Sequence, residues 1–302
     1  MMSTKYAPVV IFGFNRPQCI KKTIESLLQN RESRFSDLYV FVDGPRKGKV
    51  GELEKIQEVQ NIVKDVKGFN SLHYTFSETN KGLALSVIEG VTQVLDLYGK
   101  VIVLEDDLLL APNFLNFMNQ GLDFYEHCTD VMSVCGHSCK VNVPKNYPYD
   151  AYFLTRSSSW GWATWKDRWE DIDWKLDDWV SVERNKKSFV KSQGSDVFGM
   201  LSDWKKGKNN SWAIRFCYSQ FVKDKLSVIP NISLVDNRGF DGEGTNCKHY
   251  SRFKFEFDSR KNYIVFKFPS EVKLNSRLYK QALWYHSIPL RIWSKIMYII
   301  KN

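Results

Sequence analysis

Two loops that commonly hold phosphate are missing from this chain. No GxGxxG follows the first apolar run, Val9-Val10-Ile11-Phe12, so a dinucleotide fingerprint is absent. No GxxxxGK followed by Ser or Thr occurs, so a P-loop is unsupported. No run approaches the ~18 apolar residues of a membrane span. The opening MMSTKYAPVVIF lacks the charged, apolar and cleavage regions of a secretory signal, so the protein is expected to stay in the cytoplasm. Its six cysteines (19, 128, 135, 139, 217, 247) are then expected to be reduced. His127-Cys128 and Cys135-Gly136-His137-Ser138-Cys139 hold metal-capable side chains, but no second cysteine pair stands at zinc-finger spacing. Internal repeats and nucleic-acid modules are also absent.

Charge and aromatics are plentiful. The 302 residues carry 43 Lys/Arg against 34 Asp/Glu, a net charge of +9, and include ten Trp. Residues 248–302 hold twelve Lys/Arg and three Asp/Glu, so the entire excess lies in this last stretch and the preceding residues are balanced. Its end, from Leu283 to Lys301, mixes Trp, Tyr, Ile and Leu with spaced Lys/Arg. That pattern fits an amphipathic anchor on an anionic membrane surface, or a C-terminal helix packed on the domain with a solvated basic face.

The first hundred residues alternate strand and helix patterns. Apolar runs at Val9–Phe12, Leu38–Val42, Leu72–Phe76 and Val101–Leu104 predict strands, and helical spacing predicts helices over 20–28, 51–66 and 83–97. Such alternation predicts a parallel, doubly wound sheet. Polar clusters follow three strands, Asn15-Arg16, Asp43-Gly44 and Glu105-Asp106-Asp107, so they should gather on one sheet edge. Beyond, helices are predicted over 112–125 and 212–222, strands at Val131–Cys135 and Ser227–Pro230, and a polar helical insertion over 180–210. The stretch Asn237 to Thr245 carries Gly239, Gly242 and Gly244 and reads as a mobile loop.

Glu105-Asp106-Asp107 is the most informative of these clusters. Three carboxylates at the end of a buried strand are costly unless compensated, and a divalent cation with oxygen ligands is the usual compensation. The plain alternative is a solvated turn. A nucleotide held without a phosphate loop also needs a neutraliser for its diphosphate, and a metal at the triplet would serve.

The segments VVIFGFNRP, FVDGP, NKGLALSVIEGV, VIVLEDDLLLAPNFL, SSSWGWATWKDRW, SWAIRF and SLVDNRGFDGEGTNC, in that order, resemble a GT-A fold glycosyltransferase. The likeness is to bacterial surface-polysaccharide transferases of the family 2 type and, more distantly, to N-acetylglucosaminyltransferase I. It implies a Rossmann-like, mostly parallel α/β sheet flanked by helices. Residues 1–250 would form this domain, with 1–108 as the nucleotide half and 109–250 as the acceptor half. Residues 251–302 would be a basic extension. The resemblance implies that Asp107 ligates Mn²⁺ or Mg²⁺ and that Glu105 and Asp106 face ribose and sugar hydroxyls. Asp43 would contact the nucleobase, and Phe14, Asn15 and Arg16 would line the nucleotide. Asn15 and Arg16 have an alternative as a turn before Pro17. Lys81 would reach a phosphate, or stand solvated at a helix start. Trp160, Gly161 and Trp162 would wall the sugar site, or belong to a core aromatic cluster with Trp165 and Trp169. Asn237 to Thr245 would close over the nucleotide.

Direct displacement at an anomeric carbon needs a general base for the acceptor hydroxyl. In inverting relatives that base opens a helix, but Ser211-Trp212-Ala213-Ile214-Arg215 carries no carboxylate. Asp178 and Asp241 are the two candidates, with Asp241 preferred. The expectation is an inverting hexosyltransferase using a nucleotide-sugar donor, a UDP-sugar by preference. Its acceptor would be lipid-linked or a growing glycan in O-antigen, capsule or lipopolysaccharide assembly, reached from the inner face of the cell membrane. No nucleic acid is expected as partner. A nucleotidyltransferase acting on sugar phosphates and a non-catalytic glycan-binding module are the alternatives.

Overall fold

The computed structural model describes residues 6–239 and 257–301. The predicted alternation is present as β1 (Val9–Gly13), α1 (Pro17–Leu28), β2 (Asp37–Val42), α2 (Glu52–Lys64), β3 (Ser71–Phe76), α3 (Leu83–Tyr98) and β4 (Lys100–Glu105). These are followed by β5 (Leu108–Leu110), α4 (Phe114–Phe124), β6 (Val131–Cys135), β7 (Ala151–Leu154), β8 (Trp162–Trp165) and α5 (Lys166–Glu170). Then come α6 (Trp179–Gln193), α7 (Val197–Lys205), α8 (Trp212–Val222), β9 (Leu226–Pro230), β10 (Val235–Asn237), α9 (Ser276–Tyr285) and α10 (Ile288–Lys301).

The main sheet runs β3-β2-β1-β4-β8-β6-β9-β7. Its first four strands are parallel. The rest is mixed: β8 is antiparallel to β4 and β6, β9 is parallel to β6, and β7 closes the sheet antiparallel to β9. The central strand β1 shows why both faces need helices. Val9 and Ile11 enter one core with Ile20, Ile24 and Leu27 of α1 and Ile56, Val59 and Val63 of α2. Val10 and Phe12 enter the opposite core with Val87, Val91 and Val94 of α3. Period-two strands between helices with 3- and 4-residue apolar spacing leave no other arrangement. Gly90 lets α3 lie close, since a Cβ there would fall 2.9 Å from the Phe12 ring.

Trp162 is a core residue, 2% exposed, with its ring stacked on Trp212 at 4.9 Å and on Trp169 at 5.7 Å. It therefore cannot wall a sugar site; the aromatic-cluster alternative holds for it. The expected basic extension is also more than a tail. From residue 257 the chain is laced onto α4: Asn113 donates to the Arg260 and Asn262 carbonyls, and Asn116 and Gln120 donate to that of Ile264. Phe266 and Phe268 are buried against Phe117. Leu278, Ala282 and Tyr285 of α9 bury beside Tyr152 and Ile229.

Two expectations follow. Burying a Phe side chain is worth about 1.5–3 kcal/mol, so a chain ending at residue 256 should lose at least ~3 kcal/mol in urea unfolding; unchanged stability would show the segment to be dispensable. Trp162→Ala should cost about 3–5 kcal/mol, against a much smaller loss for Trp160→Ala.

Candidate active site

The parallel order β2-β1-β4 brings the ends of three strands to one edge, as the polar clusters predict. Phe14–Arg16 leave β1, Asp43 leaves β2, and Glu105–Asp107 leave β4. The triplet is fixed from below by α1. Thr23 Oγ1 donates to the Asp106 carbonyl at 2.8 Å and accepts from the Leu108 amide at 3.1 Å. Ser26 Oγ accepts from the Leu110 amide at 3.1 Å. Thr23 and Ser26 stand three residues apart, so one helix face serves the strand segment 106–110.

Arg16 carries the counter-charge. Its Nη1 lies 2.8 Å from Asp107 Oδ2 and 3.8 Å from Asp106 Oδ1. Pro17 at the first position of α1 keeps Arg16 out of helical backbone (φ −121°, ψ 74°), at the turn that faces the triplet. Asp106 also accepts from the Phe14 amide at 3.3 Å. One guanidinium does not balance three carboxylates. Like charges ~4 Å apart repel by about 4 kcal/mol at an effective dielectric near 20. Burial, then repulsion from Asp107, pushes the Asp106 carboxyl up to about 7 against the pull of Arg16. Burial, then Asp107 and Asp106, pushes Glu105 up to about 8.

The site fits a divalent cation. Asp107 Oδ1 is buried and has no hydrogen-bond partner among the described residues, while Oδ2 is taken by Arg16. No three His, Cys, Asp or Glu side chains among the described residues form a complete cation cage. That matches Mg²⁺-type ions, which use one or two carboxylates and take further oxygens from water and substrate phosphates.

Other expected residues sit differently. The Asp43 carboxylate accepts from the Gly44, Lys81 and Gly82 amides and from Asn80 Nδ2, at 2.8–3.0 Å. A carboxylate has about four acceptor positions, so in this structure Asp43 pins the loop before α3 and has none left for a base. Lys81 Nζ pairs with Glu89 at 2.9 Å, on the surface, and reaches no site residue. Asn15 donates to Glu52 at 3.1 Å; Glu52 also accepts three bonds from Arg46, whose guanidinium lies over the Phe14 ring. Asn15 thus shapes the loop. Gly161 has φ +64°, and a Cβ there would meet Val235 and Phe114 at 2.9–3.0 Å, so its freedom serves packing within the chain. Asp178 caps α6, accepting from the Ser181 amide and hydroxyl, and makes no bond to the triplet. Its exposed capping position is a correction to its candidacy as base. Asp241 lies outside the described residues, as does most of the expected closing loop.

Of the expected closing loop, residues 237–239 are described, and with Asp236 they stand beside the triplet. β10 pairs antiparallel with β5, the Arg238 amide donates to the Asp107 carbonyl at 2.8 Å, and Asp236 pairs with Arg238 at 2.8 Å. A Cβ on Gly239 would lie 2.2 Å from Asp107 Oδ2, so only glycine lets the chain pass there. Trp160 is half-buried with its ring 4.5 Å from that of His137, whose imidazole is pushed down to about 3 by burial and is therefore neutral.

No protein-family model matches the chain. Over 266 residues it is 22% identical to an alpha-1,3-mannosyl-glycoprotein 2-beta-N-acetylglucosaminyltransferase of Arabidopsis thaliana, covering 81% of this chain and 57% of that protein. The chain therefore spans a little over half the length of this relative. Among solved structures, a mannosyltransferase from Pyrobaculum calidifontis in complex with GDP-Man and Mn²⁺ aligns at a TM-score of 0.35 and 14% identity, over 54% of this chain and 46% of that one. The galactosyltransferase LgtC, with donor and acceptor sugar analogs, aligns at 0.37 and 11%, over 59% and 65%. A UDP-glucose pyrophosphorylase with UDP-glucose aligns at 0.38 and 10%, over 74% and 90%. These structural likenesses are loose. The sequence likeness to an N-acetylglucosaminyltransferase extends over most of the chain and agrees with the resemblance that its motifs carry.

Proposed function

We propose that the protein is a metal-dependent glycosyltransferase that moves a hexose from a nucleotide-sugar donor, preferably a UDP-sugar, to a glycan acceptor. The observation that carries this reading is the buried Asp106-Asp107 pair, with Asp107 Oδ1 unpartnered and Arg16 as the one counter-charge paired with it among the described residues. Asp107 would hold Mn²⁺ or Mg²⁺, assisted by Asp106. The ion would neutralise the charge that builds on a leaving nucleoside diphosphate.

The chain's own groups do the rest. Phe14 and Arg16 flank the position beside the triplet where the nucleotide would lie, and Asn15 keeps that loop in shape through Glu52. Glu105 and Asp106 would accept bonds from hydroxyls of the donor. Trp160 offers an apolar face for the sugar. In a single inverting displacement the bond from the anomeric carbon to phosphate breaks as the acceptor oxygen attacks. The acceptor proton passes to a carboxylate, for which we propose Asp241. An acceptor that is lipid-linked or a growing surface glycan (O-antigen, capsule or lipopolysaccharide) suits a chain whose positive excess is concentrated at one end. The protein would then work at the inner face of the cell membrane. Among the described residues no helix is long and apolar enough to cross a membrane.

With Mn²⁺ present, hydrolysis or transfer from a panel of nucleotide sugars should be measurable and should fall ~100-fold or more in Asp107→Ala, the scale of losing a key charge-stabilising group. A correctly folded wild type that binds no nucleotide sugar would end the proposal. Arg16→Ala should melt at a lower temperature than wild type without metal and gain more from added Mn²⁺; equal gains would show that Arg16 is not the counter-charge.

A further inference from the structure

A cavity of about 890 Å³ lies in the mixed half of the molecule, between the segment 154–160, helices α6 to α8, and the C-terminal pair α9 and α10. Trp160 and His137 are among the residues that line it. From there the chain leads to the active site: His137 Nδ1 lies 3.2 Å from Ser233 Oγ, and β10 follows, after which the Arg238 amide donates to the Asp107 carbonyl. Helix α10 also lines it, through Arg291, Ser294 and Lys295.

α10 has two different sides. At about 100° per residue, Ile288, Ile292, Trp293, Ile296, Ile299 and Ile300 fall within an arc of roughly 140°. All six are exposed, from 49% for Ile296 to 75% for Ile299. Arg291 and Ser294 occupy the remaining side and the exposed Lys295 stands at its border with the arc; all three line the cavity. Ser294 is 2% exposed and its hydroxyl has no hydrogen-bond partner among the described residues. Arg291 and Lys295 form no ion pair among the described residues, whereas the cavity's other strong cation, Arg156, is bound through both nitrogens to Asp196 at 2.8 and 3.0 Å. The remaining acid on the wall, Asp203, lies 3.9 Å from the exposed Lys208. The inner side of α10 therefore presents two cations and a hydroxyl donor with no anion of their own. A broad apolar arc with Trp, on the segment that holds all the excess positive charge, matches an anionic lipid surface rather than water.

We propose that the cavity receives the phosphate head of a membrane-borne acceptor, and that α10 joins the two: its outer arc seats in the anionic lipid surface while Arg291, Ser294 and Lys295 bind the phosphate. This rests on the glycosyltransferase reading and names the chemistry of its acceptor. The sugar-accepting end of the molecule would then point toward Trp160 and the donor edge.

The full chain is tested with two probes. Flotation with vesicles of phosphatidylcholine, with and without phosphatidylglycerol, reads the outer arc. Calorimetric titration with decyl diphosphate, beside inorganic pyrophosphate, reads the inner one. Wild type should float with the anionic vesicles alone, and Ile292→Glu with Ile296→Glu should release it while leaving decyl diphosphate affinity unchanged. Arg291→Gln with Lys295→Gln should weaken decyl diphosphate by at least about tenfold, or ~1.4 kcal/mol, with affinity for UDP and Mn²⁺ retained. Ser294→Met, which fills the cavity without changing charge, should do the same if the double variant fails to fold. Wild type that stays off anionic vesicles, or inner variants that bind decyl diphosphate normally, would overturn the proposal. So would pyrophosphate binding as tightly as decyl diphosphate, because the site would then serve a free anion. Retained UDP binding in any of these outcomes would leave the donor site standing.

Discussion

The rest of the site depends on how the negative charge at the end of β4 is balanced. Glu105, Asp106 and Asp107 sit where a buried strand leaves the sheet, and among the described residues Arg16 alone pairs with them. The fold invests in holding this unbalanced group in place. Thr23 and Ser26 grip the segment from α1, Pro17 turns Arg16 toward it, and Gly239 lets residues 236–239 close over it. A structural ion pair would not need a buried carboxylate oxygen left without a partner. A site that accepts a second cation would, and a nucleoside diphosphate bound without a glycine-rich loop would have use for one.

The two halves of the molecule contribute different things to this edge. The parallel half delivers three strand ends side by side, which is a consequence of β-α-β connection. The mixed half supplies an aromatic core, in which Trp162, Trp169, Trp212 and Phe216 pack together, and a cavity walled by helices. Strand β10 connects them, because it pairs with β5 beside the triplet and continues from Ser233, under His137. A donor bound at the sheet edge and an acceptor in the cavity would therefore meet near Trp160.

Much of the nucleotide half was legible in the sequence, because its apolar runs alternate with helical spacing and its acidic triplet ends a β-branched run. What was not legible depended on distant partners. Asp43 looks free in FVDGP, and only the structure brings Asn80, Lys81 and Gly82 around its carboxylate. Trp160 and Trp162 stand two apart, yet β8 begins at Trp162, so strand alternation does not relate them and only the second enters the core. The C-terminal stretch read as an extension because its charge dominates any count. Phe266-Lys267-Phe268 alternates with period two, and that was the local signal that two aromatics point inward while the lysine stays in water.

The central claim is that a divalent cation at Asp107 supplies the diphosphate neutralisation that no loop of this chain provides. Calorimetric titration of UDP into the protein, with Mn²⁺ and after complete chelation, tests it most directly. The account predicts that affinity falls at least about tenfold, or ~1.4 kcal/mol, when the metal is removed. Equal affinity with and without the ion would contradict it.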